Sequence, residues 1–386
     1  MLILKPKDTR IKNAITLLHI LLKQDGISRV ELSRITGLTK TTVSSIIKEF
    51  LAAGIVEESP TKPNGNVGKT PISLHIKKNA VYTLGVHLGR HNIKTVLMDA
   101  SMKVLMESNG LSYKKNDPDS VLEKLYLDIN HIMEKAEKHG IKVGVIGIGI
   151  PGPLDPETGV IKCPPKFEGW INIPLGEIIQ KKYKLPVWIE NDANVAALAE
   201  KWHGGAKYLK NFVYILVNEG IGAGVVINDE LYQGTHDYVG EIGHSLFYVH
   251  GQFKYLEDLY GVDVLTSQIK SCGLNAHSIE DVANLLKADN KIVYSIVRDS
   301  AKWLSIVVLN VIHLLNPQAV FIGGTMAALG NYLIQPVKEI VSQYLFGDQE
   351  TDVKLSEISD NAVAIGAGIY ATAKWLEAKS IEHVHH

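Results

Sequence analysis

Apolar residues recur at helical spacing early in the chain. Ile11, Ala14, Ile15, Leu18, Leu21 and Leu22 mark one amphipathic helix, which Asp25-Gly26 ends. Ser28 opens a second, short helix with Glu31 placed to complete a capping box, and Gly37 closes it. Thr39 caps a third helix whose stripe of Val43, Ile46, Ile47, Phe50 and Leu51 faces a core. The opposite face carries Lys40, Thr41, Thr42, Ser44, Ser45 and Lys48, small donors and cations suited to phosphates and base edges. Two short strands follow, Gly54 to Glu58 and Ile72 to Ile76, around a tip with Gly65 and Gly68. Together these features predict a winged helix-turn-helix over residues 1–78 that binds double-stranded DNA. Its candidate contacts are Ser28, Arg29, Lys40, Thr41, Thr42, Ser44, Ser45 and Lys48, with Lys62 and Lys69 flanking the wing tip. The competing reading is a three-helix unit used for dimerisation or protein contact.

From Ala80 the period shortens to that of strands. Runs at Val81–Leu88, Ile93–Asp99 and Lys103–Glu107 precede a helix from about Pro118 to His139. A buried strand, Val143–Ile150, ends in Pro151-Gly152-Pro153. Val187–Glu190 leads into a helix from Ala193 to Trp202, and Phe212–Val217 with Gly224–Ile227 forms a hairpin. A helix from Ile292 to Leu315 precedes a strand, Ala319–Ile322, that runs into Gly323-Gly324. Strands alternating with helices, with glycines at strand ends, indicate an α/β fold. The antiparallel hairpins argue against a plain Rossmann sheet.

A chain of 386 residues exceeds one ordinary core and implies two or three domains. With 46% apolar and 21% charged residues, the composition excludes a disordered chain. No apolar run reaches the roughly 18 residues of a membrane span. The start lacks a signal-peptide core, and Cys163 and Cys272 read as free thiols, so a cytoplasmic protein is expected. Charge is uneven. Residues 1–77 hold 12 Lys/Arg and 6 Asp/Glu, while the remainder holds 28 and 35. A basic head on an acidic body fits a nucleic-acid contact at one end, although chance segregation gives the same numbers.

Several segments resemble the ROK family of repressors, open reading frames and sugar kinases. These are Ile148-Gly149-Ile150-Pro151-Gly152-Pro153, Glu190-Asn191-Asp192-Ala193-Asn194, Gly220-Ile221-Gly222-Ala223-Gly224, Gly240-Glu241-Ile242-Gly243-His244 and Gly323-Gly324. Gly68-Lys69-Thr70-Pro71 is similar to the segment that closes the wing in regulatory members. The resemblance implies a two-lobed actin-like (ribonuclease H-like) body of the sugar-kinase type. Residues 79–189 plus 365–386 would form the small lobe and 190–364 the large lobe, with a sugar in the cleft. The hydroxyl ligands it implies are Asn191, Asp192, Glu241, His244 and Glu257. Carboxylates, an amide and an imidazole suit a ring of hydroxyls, each of which donates and accepts. The blander readings are that Asp192 caps the helix starting at Ala193 and that Glu241 pairs with His244.

Departures from the family pattern bear on activity. Kinases carry Asp-x-Gly-Gly-Thr after the first strand; here the stretch is His87-Leu88-Gly89-Arg90-His91. The second phosphate loop, usually Gly-Thr-Gly, is Asn218-Glu219-Gly220. Two negative groups ~4 Å apart repel by about 4 kcal/mol at an effective dielectric of ~20, so Glu219 opposes a nucleotide. Arg90 is a candidate anion contact. The family's zinc cysteines are replaced by Tyr248 to Glu257, which holds no cysteine, and Phe253, Tyr255 and Leu256 are expected to pack this segment apolarly. Neither ATP nor zinc is expected, no residue is expected to be catalytic, and Asp192 would be the base only in a kinase. The resulting expectation is a sugar-responsive regulator, most simply a repressor, acting as a homodimer or tetramer on operator DNA. The alternatives are an active sugar kinase with a DNA-binding head and a regulator that answers to a protein partner.

Overall fold

A computed structural model describes residues 6–60, 72–114, 117–165, 167–358 and 361–384. The head opens with α1 (Pro6–Lys23), α2 (Arg29–Thr36) and α3 (Lys40–Ala52), followed by β1 (Val56–Pro60) paired antiparallel with β2 (Ile72–Ile76). Both predicted caps form. Ser28 and Glu31 make a reciprocal box, and the Thr39 hydroxyl accepts from the Thr42 amide. Gly37 ends α2 with φ 70°, a left-handed turn that glycine adopts without strain. Leu17, Leu18, Leu32, Val43, Ile46, Ile47 and Phe50 are fully buried between the three helices. Lys62 and Lys69 lie outside the described residues, as does the segment Gly68 to Pro71.

The body repeats one topology. Its first sheet contains β3 (Tyr82–Leu88), β4 (Asn92–Asp99), β5 (Val104–Glu107) and a short β6 (Leu111–Ser112). After α4 (Pro118–Lys138) come β7 (Val145–Ile150), a small ribbon of β8 (Leu154–Asp155) and β9 (Val160–Ile161), α5 (Leu175–Tyr183) and β10 (Val187–Asn191). The strand order is β10-β7-β3-β4-β5, with β6 also on β4; β10, β7 and β3 run parallel while β4 and β5 are antiparallel.

Helix α6 (Asp192–His203) leads to the second sheet: β11 (Phe212–Val217), β12 (Ile221–Ile227) and β13 (Glu230–Leu231). A hairpin of β14 (Leu246–Val249) and β15 (Gln252–Tyr255) precedes α7 (Leu256–Leu259), α8 (Val262–Ser271), α9 (Ile279–Lys287) and α10 (Lys291–Leu315). Then β16 (Ala319–Gly323), α11 (Asn331–Tyr344), β17 (Asp352–Leu355) and α12 (Ala362–Val384) complete the chain. This sheet has the order β13-β12-β11-β16-β17, again a hairpin joined to parallel strands. Two copies of one plan, each with its first strand central, make the two lobes of an actin-like body.

Each sheet has its own apolar core, and a third core joins them. That third core is built on α6 and α12, including Ala193, Val195, Ala196, Ala197, Ala364 and Ala367, with Tyr214 and Phe321 from the second sheet. Small residues let the two helices approach closely; a Cβ added at Gly366 would lie 1.7 Å from the Val195 carbonyl oxygen. The head core continues into the body through Val145, Ala100, Ala371 and Leu376. Among the described residues, no helix is long and apolar enough to cross a membrane.

Candidate functional site

The cleft is set by the end of β10. Asn191 is the cap of α6, its Oδ1 accepting from the amides of Ala193 at 2.9 Å and Asn194 at 3.3 Å. The blander reading of Asp192 as the cap does not hold: Asp192 is the first helical residue, and its Oδ1 accepts from the Ala193 amide at 2.8 Å. Glu190 fixes the turn from behind. It is buried, accepts from the Asn191 amide at 2.8 Å and Asn194 Nδ2 at 3.0 Å, and takes Gln233 Nε2 at 2.9 Å on its other oxygen. Its role is visible only in the fold, although Glu190 and Asn194 stand four positions apart in the quoted motif.

The opposing wall is the turn after Val239. Gly240 has φ +89°, and a Cβ there would sit 1.7 Å from the Ala223 carbonyl oxygen, so no other residue fits. This turn aims Glu241 at the cleft, where its Oε1 and Asn191 Nδ2 both face Gly152, at 3.5 and 3.1 Å from the Cβ position that glycine leaves empty. His244 Nδ1 lies 3.5 Å from Glu241 Oε2, and its ring meets Tyr255 edge-on at 5.3 Å. Glu257, in α7, accepts from the Ile221 amide at 2.7 Å through one oxygen. Its other oxygen lies 3.9 Å from Arg90 Nη1. All five predicted sugar ligands therefore line one cleft, together with Arg90, Pro151, Gly152 and Gly220.

Electrostatically the cleft crowds three carboxylates around one guanidinium. Burial pushes the Asp192 carboxyl up to about 6; the Ala193 amide and Arg90 oppose the rise, and Glu241 and Glu257 add to it. Burial also raises Glu241, with His244 opposing. Once ionised, carboxylates of raised pKa are strong acceptors for hydroxyl donors.

A second cavity, about 480 Å³, lies across Asn218 and Glu219 from the first. Its walls include His87, His91, Lys94, Asp263, Glu280 and Thr325. His87 and His91 both face it, as does Glu219, and His87 and Glu219 also line the first cleft. The hairpin Leu246–Tyr255 departs from expectation. Leu256 is buried, but Phe253 is 70% and Tyr255 48% exposed. Register places Leu246 beside Tyr255 and Tyr248 beside Phe253, so one face of this two-stranded ribbon is apolar and open.

In the head, Lys40, Thr41 and Lys48 are exposed on α3, and Thr42, Ser44 and Ser45 are half-buried. Five candidates are partly engaged within the protein, among them Thr41 and Thr42, whose hydroxyls each lie 2.8 Å from that of Thr39. Ser28 Oγ donates to Glu31 at 2.8 Å, Ser45 Oγ accepts from Arg10 Nη2 at 3.0 Å, and Arg29 pairs with Glu58.

The ROK family profile matches residues 83–374. The chain belongs to the ROK family. Residues 9–64 match the MarR family profile, in keeping with the winged-helix head. The chain is 29% identical to the xylose repressor of Caldicellulosiruptor bescii, over 92% of this chain and 94% of that one. It is 26% identical to a glucokinase of Halalkalibacterium halodurans, which covers 74% of this chain and 93% of that enzyme. In three dimensions it superposes on a ROK family transcriptional regulator, a homologue of the Escherichia coli MLC protein, with TM-score 0.82 at 23% identity. That match spans 98% of this chain and all of the other. The regulator-type ROK architecture thus extends over head and body alike.

Proposed function

We propose that this ROK protein is a sugar-responsive transcriptional repressor that binds operator DNA through α3 and an aldose in the cleft, without phosphorylating it. The carrying observation is the contrast between the two cavities. Asn191, Asp192, Glu241, His244 and Glu257 converge on one, while His91 lines the other, where a phosphoryl donor would sit, and His87 and Glu219 stand between the two and line both. Asp192 then serves as a sugar ligand, not as a general base. Neither nucleotide nor zinc is part of this reading.

The head (1–78) is the output. The small lobe (79–189 with 365–386) and the large lobe (190–364) form the sensor. Ser28, Arg29, Lys40, Thr41, Thr42, Ser44, Ser45 and Lys48 contact DNA, with Lys62 and Lys69 of the wing. The protein works in the cytoplasm as a homodimer or tetramer, so that two α3 helices meet half-sites about one DNA turn apart. Because a relative is named xylose repressor, D-xylose is the first effector to try.

For sugar to act allosterically, it must bind one head arrangement more tightly than another. The test is a monosaccharide panel followed by thermal unfolding, with MgATP turnover measured in parallel. A ligand at 100 times its Kd adds about 2.7 kcal/mol of stability. A shift with at least one aldose and no sugar phosphate formed is expected. Steady phosphorylation would replace this reading with the kinase one.

A further inference from the structure

Arg90 has no counterpart in the glycine-rich kinase loop, and its surroundings are unusual. Among the described residues it is the only buried Arg or Lys. Its Nε and Nη1 are buried without a hydrogen-bond partner. The guanidinium lies against Gly220, where a Cβ would come within 2.8 Å of both terminal nitrogens, so the absence of a side chain there leaves room for it. It lines the same cleft as Asp192, Glu241 and Glu257.

A buried cation with unsatisfied donors is costly unless a ligand supplies acceptors. The nearest carboxylate oxygen, Glu257 Oε2, is 3.9 Å from Nη1, too far for a direct hydrogen bond. One hydroxyl oxygen at about 2.8 Å from each atom fits that separation, accepting from the guanidinium and donating to the carboxylate. Glu257 is held ready for this, because its other oxygen is already engaged by the Ile221 amide. A hydroxyl does both jobs at once; a fully ionised phosphate or carboxylate group in that place has no proton to donate to Glu257. Three carboxylates around one cation also leave an excess of negative charge, which opposes an anionic ligand.

We propose that Arg90 is a direct ligand of the effector, bridged to Glu257 by one sugar hydroxyl, and that the cleft accordingly selects neutral aldoses over sugar phosphates. This inference rests on the sugar-cleft reading above. It also gives the kinase-loop departure a purpose: an arginine replaces a glycine where the kinase loop meets phosphate.

The test is isothermal titration of the full chain with D-xylose, D-glucose and N-acetyl-D-glucosamine, and with D-glucose 6-phosphate. It is done on wild type, Arg90→Met and Arg90→Lys, with urea unfolding of each. Expected for the tightest-binding aldose is at least about 30-fold weaker binding to Arg90→Met, at unchanged or raised unfolding midpoint, and partial recovery in Arg90→Lys. Wild type should also bind glucose 6-phosphate at least tenfold more weakly than that aldose. A deoxy series of the same sugar should contain one member that wild type rejects and Arg90→Met does not distinguish from the parent. Arg90→Met binding within twofold of wild type would overturn the proposal while leaving the sugar cleft standing. So would a wild-type preference for the 6-phosphate. If wild type binds no aldose, both the proposal and the cleft reading fail.

Discussion

Asp192 carries the sharpest consequences at the scale of single residues. An unfolded Asp loses its proton near 3.8 and the folded one near 6, so the folded state holds an extra proton between these values. Stability therefore falls as pH rises from about 4 to 6 and then levels. Above pH 6 the ionised group is carried at a cost of roughly 1–3 kcal/mol. Replacing it by Asn should raise the stability of the sugar-free protein by that amount in urea unfolding at pH 7.5, and should abolish the sugar response without changing DNA affinity. Loss of stability instead would mean that Asp192 is a structural partner, not a ligand held at a cost. If the ionised form binds sugar, affinity should drop about tenfold per pH unit below 6, read by titration between pH 4.5 and 7.5. A flat profile would remove Asp192 from the ligand set.

Among the elements, the tight turns matter most. Gly240→Ala drives a methyl into the Ala223 carbonyl at a positive φ, so it should cost at least about 2 kcal/mol and displace Glu241, seen as lost stability together with lost sugar binding. Thr39→Ala should cost about 1 kcal/mol as a lost cap. It should reduce DNA affinity further, because the Thr39 hydroxyl also sits 2.8 Å from those of Thr41 and Thr42 on the face proposed to read DNA. A DNA affinity unchanged in anisotropy would detach that face from the contact. Such local features were legible in the sequence. Caps, glycine turns and the strand-to-helix change at Glu190-Asn191-Asp192 depend on neighbours a few positions apart. What was not legible depends on distant partners. Asn191 and Asp192 are adjacent acceptors, and only the backbone path shows which one caps α6. The partnering of Glu190 by Gln233, and of Arg90 by Gly220, joins segments that the sequence separates by 43 and 130 positions. The open aromatic face of the Leu246–Tyr255 hairpin was misread for a similar reason, since alternation tells that one face is apolar but not whether anything covers it.

In the whole molecule, the head rests on α12, one of the two helices that join the lobes. α1 packs on α12, where His19 Nε2 and Glu377 Oε1 lie 2.7 Å apart. At its end, Lys23 reaches Asp229 at 3.1 Å, and Asp229 also pairs with Lys201 near the far end of α6. The helix that begins at the proposed sugar ligands is thus linked to the head through two ion pairs that share Asp229. Asp229→Asn keeps a residue that tolerates the turn's φ of 73° but removes the charge. It should leave sugar affinity intact and cut the sugar-induced change in DNA affinity at least threefold; an undiminished response would place the coupling elsewhere. The most direct test of the central claim is the affinity of the full chain for an operator selected from genomic DNA, measured by fluorescence anisotropy at fixed salt with and without saturating D-xylose and the other aldoses of the panel. A change of tenfold or more with one aldose, lost in Asp192→Asn, is the predicted result, and an operator affinity that no aldose alters would contradict it.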